Sequence, residues 1–186
     1  MTRLPVLESA QLSPTQKKIH DQIASGPRGN VAHIFRLLLN SPGLTDTAQR
    51  VGAYLRYGSS LSDRVREFAI VVAAAYWKVD YEWRAHAPLA QKAGILEATL
   101  EEVGLGRRPS FTDDTDRIVY DYVTDAIKQS GIDNATFEDA RRVFGDEQMV
   151  DLTAIAGYYT MLATFMNAFE LQPEPADPKA PWRTAG

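Results

Sequence analysis

Apolar side chains along this chain recur with a period near that of an α-helix. Val31, Ile34, Phe35, Leu38 and Leu39 repeat at i, i+3, i+4, i+7 and i+8, the spacing of one helix face, and Ser41-Pro42 ends the pattern. Upstream, Ser13-Pro14 pairs a capping serine with a proline at the first helical position. Ile19, Ile23 and Ala24 then share a face of a short helix that ends near Ser25-Gly26. Gly26-Pro27-Arg28-Gly29 separates the two helices. A third, from about Thr45 to Tyr57, is expected to turn Val51, Tyr54 and Leu55 inward before Gly58-Ser59-Ser60 closes it.

Ser62 or Asp63 caps the next helix. From Asp63 to Val79 the chain is apolar almost all round after its first turn, which places this segment in the protein interior as the central helix. A helix over Tyr81 to Ala93 follows, with Gly94 as its left-handed C-terminal residue in front of Ile95. Further helices are predicted near Leu96 to Val103, Asp113 to Ser130, Thr136 to Phe144 and Asp146 to Phe169. Thr136 and Asp139 form a loose capping box. No segment alternates with period two, so the fold class is all-α. The expected organisation is an N-terminal extension over 1–12, a single helical domain with flanking helices over 13–171, and a tail over 172–186. Pro173, Pro175, Pro178 and Pro181 keep that tail extended, over the surface or onto a neighbouring subunit, with Trp182 as an anchor.

Composition narrows the function more than the fold. Hydrophobic residues make up 45% and charged residues 24%, ordinary usage for a chain that folds. A formal charge of −4 offers no basic footprint for phosphates, so nucleic acid is not an expected partner. The chain contains no cysteine, which removes disulfides, thiolate catalysis and thiolate-bound metals. It also suits a reducing, cytoplasmic setting. The N-terminal stretch lacks the apolar core of a signal peptide. The longest apolar run, Phe68 to Trp77, is short of the roughly 20 residues a membrane span needs, so no membrane association is expected.

Against that background Glu82 and His86 stand out. Residues four apart share a helix face, so a carboxylate and an imidazole are presented together. Glu67 opens the central helix one element earlier. A carboxylate beside histidine fixes its tautomer and raises its basicity, which suits it to acid–base work near neutral pH. The same spacing also fits a solvated or structural pair, and the helix dipole favours an acidic residue near an N-terminus in any case. Tyr76, Trp77, Tyr81 and Trp83 gather at the same corner, as pocket wall or as core. His33 shares a face with Arg36 and is a candidate for holding an anionic substrate. The closing helix lets only one of Tyr158 and Tyr159 face inward, and Tyr158 enters the substrate-binding set. Arg107-Arg108 reads as a solvated turn.

Arg66-Glu67-Phe68, the apolar helix after it, Tyr81-Glu82-Trp83, His86 and Ala93-Gly94 together resemble the core signature of the carboxymuconolactone decarboxylase family, which has the alkylhydroperoxidase-like fold. Asn30 to Pro42 and Val150 to Phe169 resemble its preceding and closing helices more weakly. In the peroxidase branch the motif is a glutamate, a Cys-x-x-Cys pair and a histidine. Glu67 and His86 match the glutamate and the histidine, whereas Val79 and Glu82 stand at the cysteine positions and Tyr81 lies between them. A thiol peroxidase is therefore excluded.

The resemblance that remains is to the cysteine-free branch, and it implies a decarboxylase or related lyase that acts without a cofactor on a small carboxylate or lactone. His86 would donate the proton, with Glu67 orienting it and Glu82 in a role to be defined; Tyr81, Trp83, His33 and Tyr158 would contact substrate. The resemblance also implies a homo-oligomer, a trimer or hexamer. Two alternatives stay open: a metal-dependent enzyme with Glu67, Glu82 and His86 as ligands, and a non-catalytic small-molecule binder of the same fold.

Overall fold

The computed structural model describes residues 2–128, 131–171 and 180–183. Among these residues there is no strand, and the protein is all-α. Its helices are α1 (Pro14–Ser25), α2 (His33–Leu38), α3 (Pro42–Tyr57), α4 (Asp63–Tyr76), α5 (Asp80–Lys92), α6 (Glu97–Gly104), α7 (Asp114–Ile127) and α8 (Asn134–Ala168). Single 3-10 turns lie at Ser9–Gln11 and Pro181–Arg183. Contacts divide the chain into two compact units, Met1–Ser59 with Phe165–Pro173, and Ser60–Thr164 with Glu174–Gly186.

In the first unit, Ser13 Oγ accepts from the Gln16 amide while Gln16 reaches back to the Ser13 amide, a reciprocal cap that starts α1 at Pro14. α2 is shorter than the apolar pattern suggests. Ser41-Pro42 not only ends that pattern but starts α3, three residues before Thr45, because proline at the first helical position needs no amide partner. The buried face of α3 is Thr45, Ala48, Gly52 and Leu55. Val51 and Tyr54, expected inside, are 44% and 48% exposed. The small residues face the neighbouring helices α1 and α2, which leaves the bulkier side chains outside. Arg36 is engaged by the N-terminal segment, donating from Nε to the Leu7 carbonyl and pairing with Glu8.

The second unit is built around α4. Ser62 Oγ accepts from the Val65 amide, and from Val65 onward most of the helix is buried, as its all-round apolarity requires. α5 and α7 pack on α4, with α6 beside α4 and α5. Lys78 takes φ 52 between α4 and α5, and the Val79 amide reaches back to the Ala74 carbonyl at 2.9 Å. That six-to-one bond is a Schellman closure in which lysine occupies a position usually held by glycine. Gly94 closes α5 in the same way at φ 101, with the Ile95 amide on the Ala90 carbonyl at 3.0 Å.

Arg64 fastens that corner. It donates to the Gly94 carbonyl at 2.6 Å and to both carboxylate oxygens of Asp116 at 2.9 and 2.7 Å. Burial raises the Asp116 pKa in spite of the lowering by Arg64, whereas the bond to Asp116 raises that of Arg64. The carboxylate lies deeper than the guanidinium and bears the desolvation cost, so the pair orients α4 against α7 more than it stabilises them.

α8 is broken at Gly145, where φ is 66 and ψ 176, between the two helices expected on either side. Its cap is Asp133, whose Oδ1 accepts from the Thr136 amide at 2.9 Å; Thr136 is not the capping residue, and Asp139 pairs instead with Arg117 and Arg142. By length and composition α8 could cross a membrane, but 56% of its most apolar window is buried inside the protein, as in a core helix. Residues 172–179 and 184–186 of the proline-rich tail lie outside the described residues, as do Gln129 and Ser130 at the expected end of α7. Where the tail is described, Pro181–Arg183 forms a 3-10 turn rather than extended chain. Trp182 packs edge-on against Trp83, ring centroids 5.2 Å apart, and the Ala180 amide donates to the buried Asp80 carboxylate at 3.2 Å.

Candidate functional site

A three-residue link, Trp77 to Val79, joins α4 to α5, so the chain doubles back and residues at similar distances from Lys78 come level. Glu67 precedes Lys78 by 11 residues and His86 follows it by 8. At about 1.5 Å per residue the mismatch is about 4.5 Å, within reach of a glutamate side chain. His86 Nδ1 and Glu67 Oε2 are 2.6 Å apart. On the other side of the ring, His86 Nε2 lies 3.4 Å from Glu82 Oε2, one turn earlier on α5. The three residues are among the few buried polar ones, at 5% exposure or less.

A carboxylate only accepts, so the short contact fixes a hydrogen on Nδ1 and leaves Nε2 as the nitrogen whose protonation can change. Burial acts to lower the His86 pKa. The hydrogen bonds that the imidazole makes to Glu67 and Glu82, with the charges of both, outweigh it, and the net effect is a pKa above the ordinary histidine value. Glu67 is supported from behind by Arg66, whose Nε is 3.6 Å from Oε1. Arg66 is itself held by Asp63 at 2.5 Å and by the Leu61 carbonyl at 3.1 Å. A buried imidazole thus stands between two carboxylates, with the Arg66 guanidinium behind one of them.

The remaining sequence candidates are distributed more widely. Tyr81 is half-buried on the first turn of α5. Trp83 is buried against Trp182, and Trp77 donates from Nε1 to Thr160 Oγ1 at 3.0 Å while Tyr76 faces outward, 44% exposed. The four rings therefore do not form one wall. His33 begins α2 and belongs to the first unit, whereas Glu67, Glu82 and His86 belong to the second. Arg107 and Arg108 sit in the solvated turn expected of them, paired with Glu102 and Asp121.

Tyr158 and Tyr159 are both buried, at 7% and 4%, although only one was expected to face inward. α8 is enclosed over a wide arc, so two adjacent positions fall inside. It is Tyr159 that reaches the site, with its hydroxyl 3.5 Å from His86 Nε2 and its ring edge-on to the imidazole. Tyr158 stacks edge-on behind it. The stripe Leu152, Ile155, Tyr159, Leu162 and Met166, at alternating steps of three and four, was the available signal for Tyr159.

The donors do not converge as metal ligands. Glu67 and Glu82 address opposite nitrogens of one ring, so no single point lies within bonding distance of an imidazole nitrogen and both carboxylates. No group of three or more such side chains with metal-binding geometry occurs among the described residues. Elsewhere in this unit a groove of about 500 Å³, lined by Tyr122, Phe137, Met149 and Val150, flanks Gly145. Its charged residues, Arg141 and Asp146, are paired with each other at 2.9 Å, so it offers volume but little chemistry.

Several solved structures share this fold. An uncharacterized peroxidase-related protein with an alkylhydroperoxidase AhpD core, from Ralstonia eutropha, is 21% identical and superposes with a TM-score of 0.75, covering 94% of this chain and 93% of its own. A protein of unknown function from Agrobacterium tumefaciens, described as an AhpD antioxidant defence candidate, is 18% identical with a TM-score of 0.66, covering 75% of this chain and 96% of its own. No curated protein sequence matches the chain significantly. Residues 42–111 match the Carboxymuconolactone decarboxylase family. That region runs from α3 through α6 and holds Glu67, Glu82 and His86, and over it the chain is similar to the carboxymuconolactone decarboxylase family, in a form without cysteine.

Proposed function

We propose that the protein is a cofactor-free lyase of the decarboxylase type, acting on a small carboxylate or lactone acid by proton transfer through His86. The observation that carries this reading is the buried imidazole fixed at Nδ1 by Glu67 at 2.6 Å, with Nε2 in the looser 3.4 Å contact to Glu82. In the reaction, the bond between the carboxyl carbon and the ring breaks and carbon dioxide leaves. The electron pair moves through the conjugated system onto the lactone carbonyl, and carbon is then protonated. His86 supplies that proton from Nε2, and Glu67 stabilises the imidazolium before transfer. The longer contact to Glu82 is the one that substrate would displace.

The names of the structural neighbours point toward peroxidase-related work. In its dithiol form that chemistry needs a thiolate, and this chain has no cysteine. A metal-dependent reading is disfavoured by the opposed placement of the two carboxylates. Self-association into a trimer or hexamer is part of the same proposal, supported by the family resemblance and tested by light scattering, where a monomer at working concentration would count against it.

The test is a panel of unsaturated lactone acids followed by loss of ultraviolet absorbance together with carbon dioxide release. Turnover by the parent protein that falls by at least about 100-fold in His86→Gln is expected, the scale of a lost general acid. No turnover of any member, or equal turnover in the variant, would overturn the reading.

A further inference from the structure

Two groups compete for one nitrogen of His86. Nε2 lies 3.4 Å from the Glu82 carboxylate on α5 and 3.5 Å from the Tyr159 hydroxyl on α8. A carboxylate can only accept, so Glu82 suits Nε2 when it carries a proton. Once that proton has gone, Nε2 presents a lone pair, and a carboxylate facing it is repelled. A hydroxyl can donate or accept by rotating its hydrogen, so Tyr159 can fill the lone pair where Glu82 cannot. Nδ1 stays committed to Glu67 in both states, because its 2.6 Å contact requires the hydrogen to remain there.

We propose that Tyr159 is a positioning residue for proton transfer by His86: its hydroxyl donates to Nε2 in the neutral imidazole and yields to Glu82 in the imidazolium. The proposal deepens the reading of His86 as the proton-transfer group and rests on it. The groups facing the imidazole are Glu67 from α4, with Arg66 behind it, Glu82 from its own helix and Tyr159 from α8. Over one cycle Nε2–H gives its proton to the acceptor, the tyrosine hydroxyl turns to the vacated lone pair, and uptake of a proton by Nε2 turns it away again. Tyr159 ends as it began. The edge-on packing of its ring against the imidazole and of Tyr158 against that ring keeps the oxygen in place while only its hydrogen moves.

The two partners therefore pull the His86 equilibrium in opposite directions, and a proton titration reads this directly. The chain has three histidines, so imidazole NMR signals of the full-length protein are assignable, with His86→Gln identifying the one of interest. Tyr159→Phe is expected to move the His86 midpoint upward by about 0.5 to 1 pH unit, the scale of one neutral hydrogen bond. Glu82→Gln is expected to move it downward. An unchanged far-ultraviolet circular dichroism spectrum reports an intact fold. If Tyr159→Phe does not fold, 3-fluorotyrosine at position 159, a stronger donor of nearly equal size, is expected to lower the midpoint. An unchanged or lowered midpoint in Tyr159→Phe, or an unchanged or raised one with fluorotyrosine, would overturn the proposal. The titration needs no substrate, so the proton switch can stand if the lyase reading fails, and can fail while turnover persists.

Discussion

Replacing Glu67 by glutamine removes the charge opposite His86 while keeping side-chain length and an acceptor oxygen for Nδ1–H. The Glu67 and His86 side chains are only 7% and 4% exposed, so solvent screening does little to soften the change. A hydrogen bond involving a charged group contributes about 1.5–3 kcal/mol, and a neutral one about 0.5–1.5 kcal/mol. The substitution should thus cost about 1–1.5 kcal/mol when the imidazole is charged, well below the roughly 3–5 kcal/mol of deleting a buried partner outright. The pH dependence has a definite sign. The His86 pKa lies above the ordinary value of 6.5, because the bonds and charges of Glu67 and Glu82 outweigh the lowering by burial. Its contribution to stability is fully present below about 6.5 and is lost as pH rises through the raised folded-state value. Urea unfolding of parent and Glu67→Gln at about pH 6 and about pH 9.5 should give a gap that is large at the first and smaller at the second. A gap of equal size at both, or one that grows with pH, would refute the charged His86–Glu67 pair.

Two further substitutions test the supports of the site. Lys78 holds a left-handed conformation at φ 52, so Lys78→Gly should relieve strain and raise stability by up to about 1 kcal/mol, read as a higher urea midpoint at unchanged slope. The opposite sign would mean that the lysine side chain contributes more than its backbone costs. A Cβ added at Gly104 would lie 2.5 Å from Pro181 Cγ. Gly104→Ala should therefore displace the C-terminal turn and weaken the near-ultraviolet circular dichroism that arises from the Trp83–Trp182 pair, as Trp182→Ala does by removing one ring. An unaltered spectrum in both would show that the turn does not dock on α5.

Helix positions were legible wherever the signal was local. Ser13-Pro14, Ser62, the closure at Gly94 and the break at Gly145 each depend on a few neighbouring residues and the backbone they allow, and the chain adopts all four. Faces were harder to read. Val51 and Tyr54 are bulkier than Ala48 and Gly52, yet the smaller residues form the buried side of α3, because what is buried depends on how closely neighbouring helices approach. Asp133 rather than Thr136 caps α8, since both residue types accept hydrogen bonds and only the backbone register chooses between them.

At the site, residue spacing and composition alone establish that Glu82 and His86 share a helical face, that Glu67 opens the preceding helix, and that no thiol chemistry is available. Tertiary structure decided the rest. It placed Glu67 on Nδ1 and Glu82 on Nε2, which separates their roles and opposes them as metal ligands. It brought Tyr159, 73 residues further along the chain, to the same imidazole. Helical periodicity fixes what one helix presents on one side, a property of covalent geometry that spacing reveals. Which side chain meets it from another helix depends on where packing places that helix, and spacing within a single segment carries no record of it.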